Sequence, residues 1–105
     1  MTLQHVVLFS FPDELGDSDW RDMQDMVRSW PSEIGGFSIL RLGPSINTER
    51  TRGYQYLLYM ELADEAALVA YQQHPVHQVF LKWVLDHDCT PLAFDYYLTD
   101  DTVVV

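Results

Sequence analysis

The sequence has few basic residues, one cysteine and no long apolar run, and each shortage excludes a class of protein. Six lysines and arginines stand against sixteen acids, which gives a formal net charge of −10. A surface this acidic repels phosphate backbones and anionic lipid, so we expect neither nucleic-acid nor membrane partners. No stretch approaches the ~18 apolar residues of a membrane span, and no secretory signal follows Met1. Because Cys89 alone cannot form an internal disulfide, we expect a cytoplasmic protein.

The chain does contain enough apolar material for one folded domain. Of its 105 residues, 48% are hydrophobic and 13% are aromatic. A chain of this size buries about two-thirds of the surface that it exposes when unfolded. No internal repeat, low-complexity run or linker interrupts it. We therefore predict a single domain over residues 1–105.

Hydrophobic patterning predicts strands and helices in a definite order. Alternating segments predict four strands, at Leu3–Phe11, Phe37–Leu42, Tyr54–Leu62 and Leu92–Thr99. Apolar residues at helical spacing predict a first helix that is capped by Asp17 or Ser18, ends near Trp30 and packs into the core. Asp64 is predicted to cap a second helix that ends near Gln73, before a third that ends near Asp86.

The order strand–helix–strand–strand–helix–helix–strand is that of a ferredoxin-like α+β sandwich with a four-stranded antiparallel sheet. In this topology the first strand lies between the third and the fourth. Helices cover one face of the sheet, and the other face is left bare, apolar and aromatic. A bare face of that size predicts association. We expect a homodimer whose two sheets pack together as a dimeric α+β barrel around a closed hollow.

A ten-residue segment, Tyr71 to Phe80, concentrates proton-transfer side chains around one proline. The residue before Pro75 is disfavoured in a helix, whereas proline suits the first position of a new one. His74 is therefore predicted to cap the third helix, with His77 in its first turn. The positive end of that helix favours a neutral imidazole at His77, which could act as a base. A helix corner whose histidines only cap and pack remains the alternative.

Two further polar side chains stand on apolar strands. His5 points into apolar surroundings on the first strand, and Asp95 stands among aromatic residues on the fourth. A buried acid is costly unless it is paired, and a histidine is the partner to expect. Because the two strands are predicted neighbours, His5 and Asp95 could face each other. By contrast, we interpret His87, between two acids, as exposed charge pairing.

Two segments carry open alternatives. The polar loop Gly43–Gly53, with Arg41 before it, could cover a cavity mouth or hold an acidic ligand, or it could be a solvated loop. The tail residues Val103–Val105 are costly to leave in water and could add to a sheet edge or to a partner subunit.

Four segments with correct spacing over nearly the whole chain resemble the stress-responsive dimeric α/β-barrel (Dabb) family. The most specific is the histidine–proline–valine–histidine corner followed by Phe80. The matching segments are His5-Val6-Val7-Leu8-Phe9, Arg52-Gly53-Tyr54, His74-Pro75-Val76-His77 and Phe94-Asp95-Tyr96. The resemblance implies the dimeric barrel. It also implies a chemistry, because a plant member, olivetolic acid cyclase, closes a linear polyketide by aldol condensation without a cofactor.

Carried over to this sequence, the cyclase pattern implies catalytic roles for His77, Tyr71, His5 and Asp95. Neutral His77, oriented by Asp95, would remove a proton next to a carbonyl, while Tyr71 donates to the developing enolate oxygen. His5 would orient the substrate or relay the proton.

The aromatic third strand suits the lining of a pocket for an apolar or aromatic carbonyl ligand. The cyclase has a further histidine where this chain has Tyr56, and many family members have lysine where this chain has Ser10. We expect the substrate-binding residues to be Tyr56, Leu58, His74 and Phe80.

Three functions follow as hypotheses. The first is a cofactor-free lyase or cyclase acting on a polyketide-like or other carbonyl compound. The second is a non-catalytic stress-responsive or ligand-binding dimer. The third is a metal or haem protein, because His74 and His77 could ligate a metal. Further ligands at suitable spacing are missing, so we expect no metal and no cofactor.

Overall fold

The four predicted strands form one antiparallel sheet. A computed structural model describes residues 2–47 and 49–105, so Met1 and Thr48 lie outside the described residues. The strands are β1 (Leu3–Phe9), β2 (Phe37–Pro44), β3 (Tyr56–Leu62) and β4 (Leu92–Tyr97). Their order is β2-β3-β1-β4, and every neighbouring pair is antiparallel. The prediction of a ferredoxin-like sheet with β1 between β3 and β4 is confirmed.

The strand ends differ from the predicted ones because side chains replace the backbone pairing there. β1 ends at Phe9, two residues early. The Phe11 N–H then donates to Gln55 Oε1 at 2.8 Å, and Gln55 Nε2 donates to the Phe11 carbonyl at 2.9 Å. One amide side chain thus satisfies the backbone that a longer strand would have paired. β4 ends at Tyr97, where a turn closed by Thr99 and Thr102 begins.

Four helices pack on the sheet, one more than predicted. They are α1 (Asp17–Arg28), α2 (Trp30–Glu33), α3 (Glu65–Gln73) and α4 (Pro75–Asp86). Asp17 and Ser18 are not caps, since the capping position belongs to Gly16 and they lie in the first turn of α1. Trp30 begins the short α2, which Pro31 can join because proline is tolerated in a first turn. No helix in the described ranges is long and apolar enough to cross a bilayer.

The caps of the last two helices are as predicted. The Asp64 carboxylate accepts the Ala67 N–H at 2.9 Å and begins α3. His74 has the extended backbone expected before proline, with φ −63° and ψ 134°. Its Nδ1 atom accepts the Val76 N–H at 3.1 Å, so His74 ends α3 and begins α4. The corner that carries the predicted chemistry therefore forms by local rules.

The core lies between the helices and one face of the sheet. The predicted α1 stripe is confirmed, with Met23 and Val27 buried and Trp30 continuing the stripe into α2. These side chains share one cluster with Leu58 and Phe80. The fold thus presents the helix-facing side chains of β1 and β3 to α4 and Trp30.

No helix among the described residues covers the opposite sheet face. We call it the open face; it comprises Val6, Leu8, Leu57, Tyr59, Leu92, Phe94 and Tyr96. Phe94 is 65% exposed and Leu92 is 50% exposed. Arg41 lies over the ring of Tyr59 at 5.9 Å from its centre. Residues Val103–Val105 are exposed and are not part of the four-stranded sheet, so their addition to the edge of another sheet or to a partner subunit stays a prediction.

The loop before β3 lies against this open face. β2 extends through Pro44 and β3 begins at Tyr56, so the loop has the predicted length but lies two residues further along the chain; Thr48 within it lies outside the described residues. Ser45, Tyr54 and Gln55 border a depression that includes Leu8 and Leu57. The described loop residues that border this depression therefore lie at the face that the helices leave open.

The Asp64 cap gives a prediction of stability. Asp64→Ala removes the side chain that accepts the Ala67 N–H, and we expect a loss of about 1 kcal/mol. Asp64→Asn should lose much less, because asparagine caps nearly as well. Urea unfolding at one fixed protein concentration measures both, and equal losses would show that charge rather than capping stabilises α3.

Candidate functional site

A cavity of about 240 Å³ lies between the sheet and the α3–α4 corner. Most of its lining residues are apolar, and the polar ones are His5, Tyr71, Gln72, His77 and Gln78. This location corrects an expectation, because the hollow was predicted between the two sheets of a dimer. The cavity forms under the helices since His5 shares the helix-facing side of β1 with the core residues.

His5 and Asp95 form the predicted pair. They are opposite each other in the β1–β4 register, and the His5 Nδ1–H donates to Asp95 Oδ1. His5 is 3% exposed, whereas about a third of the Asp95 side chain remains exposed. The pairing compensates the cost of burying the polar ring of His5. It also corrects a predicted role, because the Asp95 carboxylate orients His5 and not His77.

A backbone carbonyl orients His77. Its Nδ1–H donates to the carbonyl of Gln72 at 3.1 Å, and Gln78 Nε2 donates to the same oxygen at 2.5 Å. The last carbonyls of a helix have no partner within it, so side chains from the first turn of α4 satisfy the end of α3. A proton on Nδ1 leaves Nε2 as the nitrogen that can accept another proton.

Burial lowers the pKa of His77 below its ordinary value of 6.5. The Gln72 carbonyl acts in the opposite direction and raises that pKa, while neighbouring His5 lowers it. The position of His77 at the positive end of α4 predicts a neutral imidazole, but removal from water is the largest cause of its lowered pKa. The neutral state predicted for His77 therefore has a different main origin.

Tyr71 joins the two histidines. Its ring centre lies 4.4 Å from that of His77 and 5.7 Å from that of His5. Burial raises the pKa of the Tyr71 phenol, and the negative charge of Asp95 raises it further. The phenol therefore stays protonated at neutral pH and can donate a hydrogen bond.

The eight predicted site residues divide into two groups. The structure brings His5, Leu58, Tyr71, His77 and Phe80 together in the cavity wall, with Asp95 behind His5. Tyr56 and His74 are elsewhere. Tyr56 stacks on Trp20 at 4.7 Å, and its hydroxyl accepts the Leu15 N–H at 3.2 Å. His74 uses its ring to cap α4.

Sequence reasoning missed Gln72, Gln78 and Trp30. Gln72 acts through its main chain, so the unpaired carbonyls at a helix end were the only available signal. Trp30 is fully buried against Tyr71, His77 and Phe80, with ring centres 5.0–5.9 Å apart. Its indole N–H has no hydrogen-bond partner among the described residues. The periodicity of α1 marked Trp30 as core but not as a neighbour of the site.

The remaining histidine is structural. His87 Nδ1 donates to the Trp83 carbonyl at 2.7 Å, and His87 Nε2 lies 3.6 Å from Asp19. The predicted charge pairing thus involves α1 rather than the acids beside it, and the ring is half-buried on Trp83. Within residues 2–47 and 49–105, no group of three or more His, Cys, Asp or Glu side chains is placed to hold a metal ion.

The lowered pKa of His77 predicts a pH-dependent contribution to stability. A histidine that binds its proton less well when folded destabilises the fold as pH falls through its unfolded pKa. In His77→Gln this proton uptake is absent. We therefore expect the Tm of the wild type, relative to His77→Gln, to fall between about pH 7.5 and about pH 5.5. Differential scanning calorimetry measures it, and a constant difference would contradict a lowered pKa.

Comparisons with known proteins identify structures of similar fold. None of the curated proteins matches the sequence significantly. The hydroxynitrile lyase from Passiflora edulis is similar, with a TM-score of 0.81, 11% identity and 97% of each chain covered. A dimeric ferredoxin-like protein of unknown function from Jannaschia sp. CCS1 has a TM-score of 0.78 and 24% identity, over 93% of this chain and all of that one.

SnoaB, a cofactor-independent oxygenase from Streptomyces nogalater, has a TM-score of 0.72 and 10% identity, over 94% of each chain. Likeness at these identities shows the fold alone. The family model of the stress responsive A/B barrel domain, Dabb, matches residues 3–98. The chain therefore belongs to the Dabb family.

Proposed function

We propose that this protein is a cofactor-free acid–base catalyst, a lyase or cyclase acting on a small carbonyl compound. The observation that carries the proposal is the state of His77 at the cavity wall. Its pKa is lowered, its Nδ1–H is held by the Gln72 carbonyl, and the Tyr71 ring lies against it. A neutral imidazole with a free nitrogen beside a protonated phenol is a base next to an acid.

In the proposed step, His77 Nε2 takes a proton from the carbon next to the carbonyl. The C–H electron pair then forms the carbon–carbon double bond of an enolate, and the carbonyl oxygen gains negative charge. Tyr71 donates a hydrogen bond to that oxygen, which stabilises the charge most in the transition state. His5, oriented by Asp95, positions the substrate across the cavity. The enolate carbon can then attack a second carbonyl or be reprotonated.

The comparisons support this chemistry without assigning it. Among the similar structures are a hydroxynitrile lyase and an oxygenase described as independent of a cofactor. Others are dimeric proteins of unknown function.

One observation favours the alternative, a non-catalytic ligand-binding protein. His77 is oriented by a neutral carbonyl, whereas the carboxylate of Asp95 serves His5. A base without a carboxylate partner gains less stabilisation of the imidazolium that forms in the reaction. In that case the cavity would bind an apolar compound and release it unchanged.

We further propose that the protein is a homodimer formed through the open face. Phe94 and Leu92 expose large apolar areas there, and an exposed patch of this kind marks an interaction site. Similar structures from Thermobifida fusca and Jannaschia are described as dimeric. The cavity lies on the other side of the sheet, so each protomer would hold its own site.

Exchange of carbon-bound hydrogen tests the catalytic proposal. In heavy water, the wild type should catalyse deuterium uptake at the methyl group of acetophenone, followed by proton NMR. His77→Gln should lower the rate by at least about a hundredfold, and Tyr71→Phe by about tenfold. His87→Gln, a matched change outside the cavity, should leave the rate unchanged. Binding without exchange, or exchange unaffected by His77→Gln, would contradict catalysis and favour the binding alternative.

A pair of charge substitutions tests the dimer. Phe94 on the open face and Val79 on α4 are both 65% exposed, so aspartate at either site costs a similar desolvation. Sedimentation should give twice the chain mass for the wild type and for Val79→Asp, and the chain mass for Phe94→Asp. A wild-type monomer, or a Phe94→Asp dimer, would show that the open face is not the interface.

A further inference from the structure

The described lining of the cavity contains no lysine, arginine, aspartate or glutamate. Its thirteen described lining residues include two histidines, one tyrosine and two glutamines as polar groups, and the rest are apolar. Carboxylates, phosphates and thioesters of large anionic carriers need a cation or several aligned N–H donors when they leave water. Among the described residues, no lysine or arginine lines this cavity, so no cationic side chain in its wall can pair with an anion.

Three of the six basic residues contact groups outside the cavity. Arg28 pairs with Asp25 at 3.3 Å, and Lys82 pairs with Asp86 at 2.6 Å on the outer side of α4. Arg41 lies over Tyr59 on the open face, across the sheet from the cavity. None of these three residues lines the cavity between the sheet and the α3–α4 corner.

The charge nearest the cavity is negative. Asp95 is hydrogen-bonded to His5 in the wall, and its charge adds to burial, the larger cause, in raising the pKa of Tyr71. A protonated His5 would be neutralised by this partner, and burial disfavours a proton on His77. The net charge of −10 adds a repulsion for any approaching anion.

The volume limits the ligand as well. The cavity of about 240 Å³ is smaller than the usual range of ligand pockets, about 300–1,000 Å³. A compound with a single aromatic ring and a short carbonyl substituent is of a size that suits a pocket at this small end of the range.

We propose that the cavity selects small, uncharged carbonyl compounds and rejects carboxylates, phosphates and carrier thioesters. This inference rests on the proposed use of the cavity as the substrate site. Selection follows from the wall, because a neutral ketone needs one donor for its oxygen and an apolar surface for its ring. An anion of the same size would lose its hydration and gain no opposite charge.

A matched pair of probes tests the inference. Acetophenone and benzoate share a ring and nearly the same size but differ in charge at neutral pH. In titrations of the isotope-labelled wild type followed by NMR, acetophenone should shift the signals of Tyr71, His77 and their neighbours. Benzoate should bind roughly tenfold more weakly or not at all. Equal affinity for the two probes, or shifts from acetophenone that lie outside the cavity, would overturn the inference.

A gain of function provides the second arm. Gln78 is exposed at the cavity mouth, and Val79 beside it is exposed but does not line the cavity. Gln78→Lys should tighten benzoate binding by about threefold or more, whereas Val79→Lys, with the same added charge, should not. Equal tightening by both variants would mean that net charge, rather than the cavity wall, sets the selection.

The outcomes separate this inference from the proposed catalysis. If acetophenone binds selectively but no hydrogen exchange depends on His77, the catalytic proposal is contradicted and the selection of neutral ligands is supported. If exchange depends on His77 but occurs only with an anionic ketone such as phenylpyruvate, the catalytic proposal is supported and the selection of neutral ligands is contradicted.

Discussion

The hydrogen bond from His77 Nδ1 to the Gln72 carbonyl is the interaction on which the site depends. It exists because Pro75 cannot extend α3, so the chain turns at His74 and begins α4 over the unpaired carbonyls of the preceding helix. The same contact completes the end of one helix and selects the tautomer of the imidazole. A feature that stabilises the fold therefore also determines which nitrogen faces the chemistry.

The two cavity histidines differ in the group that accepts the hydrogen bond from their Nδ1–H. His5 has a carboxylate partner in Asp95, whereas His77 has a neutral carbonyl and a buried aromatic neighbourhood. Removal from water outweighs the favourable carbonyl at His77, so its pKa falls. The two imidazoles are therefore held by different kinds of partner, His5 by a carboxylate that strand register places opposite it and His77 by a carbonyl at a helix corner.

Features that depend on neighbouring residues were predicted better from the sequence than features that depend on long-range packing. The caps at Asp64 and His74 follow from neighbouring residues, and the pairing of His5 with Asp95 follows from strand order and the cost of a buried acid. The position of the cavity could not be derived, because both faces of β1 are apolar and alternation does not say which face the helices cover. Tyr56 was misplaced for a similar reason, since its contact with Trp20 joins segments distant in sequence.

The most direct measurement of the central claim is the tautomer of His77. Long-range proton–nitrogen correlation spectra of the labelled imidazole rings distinguish a proton on Nδ1 from a proton on Nε2 and both from the charged ring. At neutral pH this account predicts a neutral His77 with its proton on Nδ1. A His77 ring protonated on Nε2, or fully charged, would contradict the orientation by Gln72 and the role built on it.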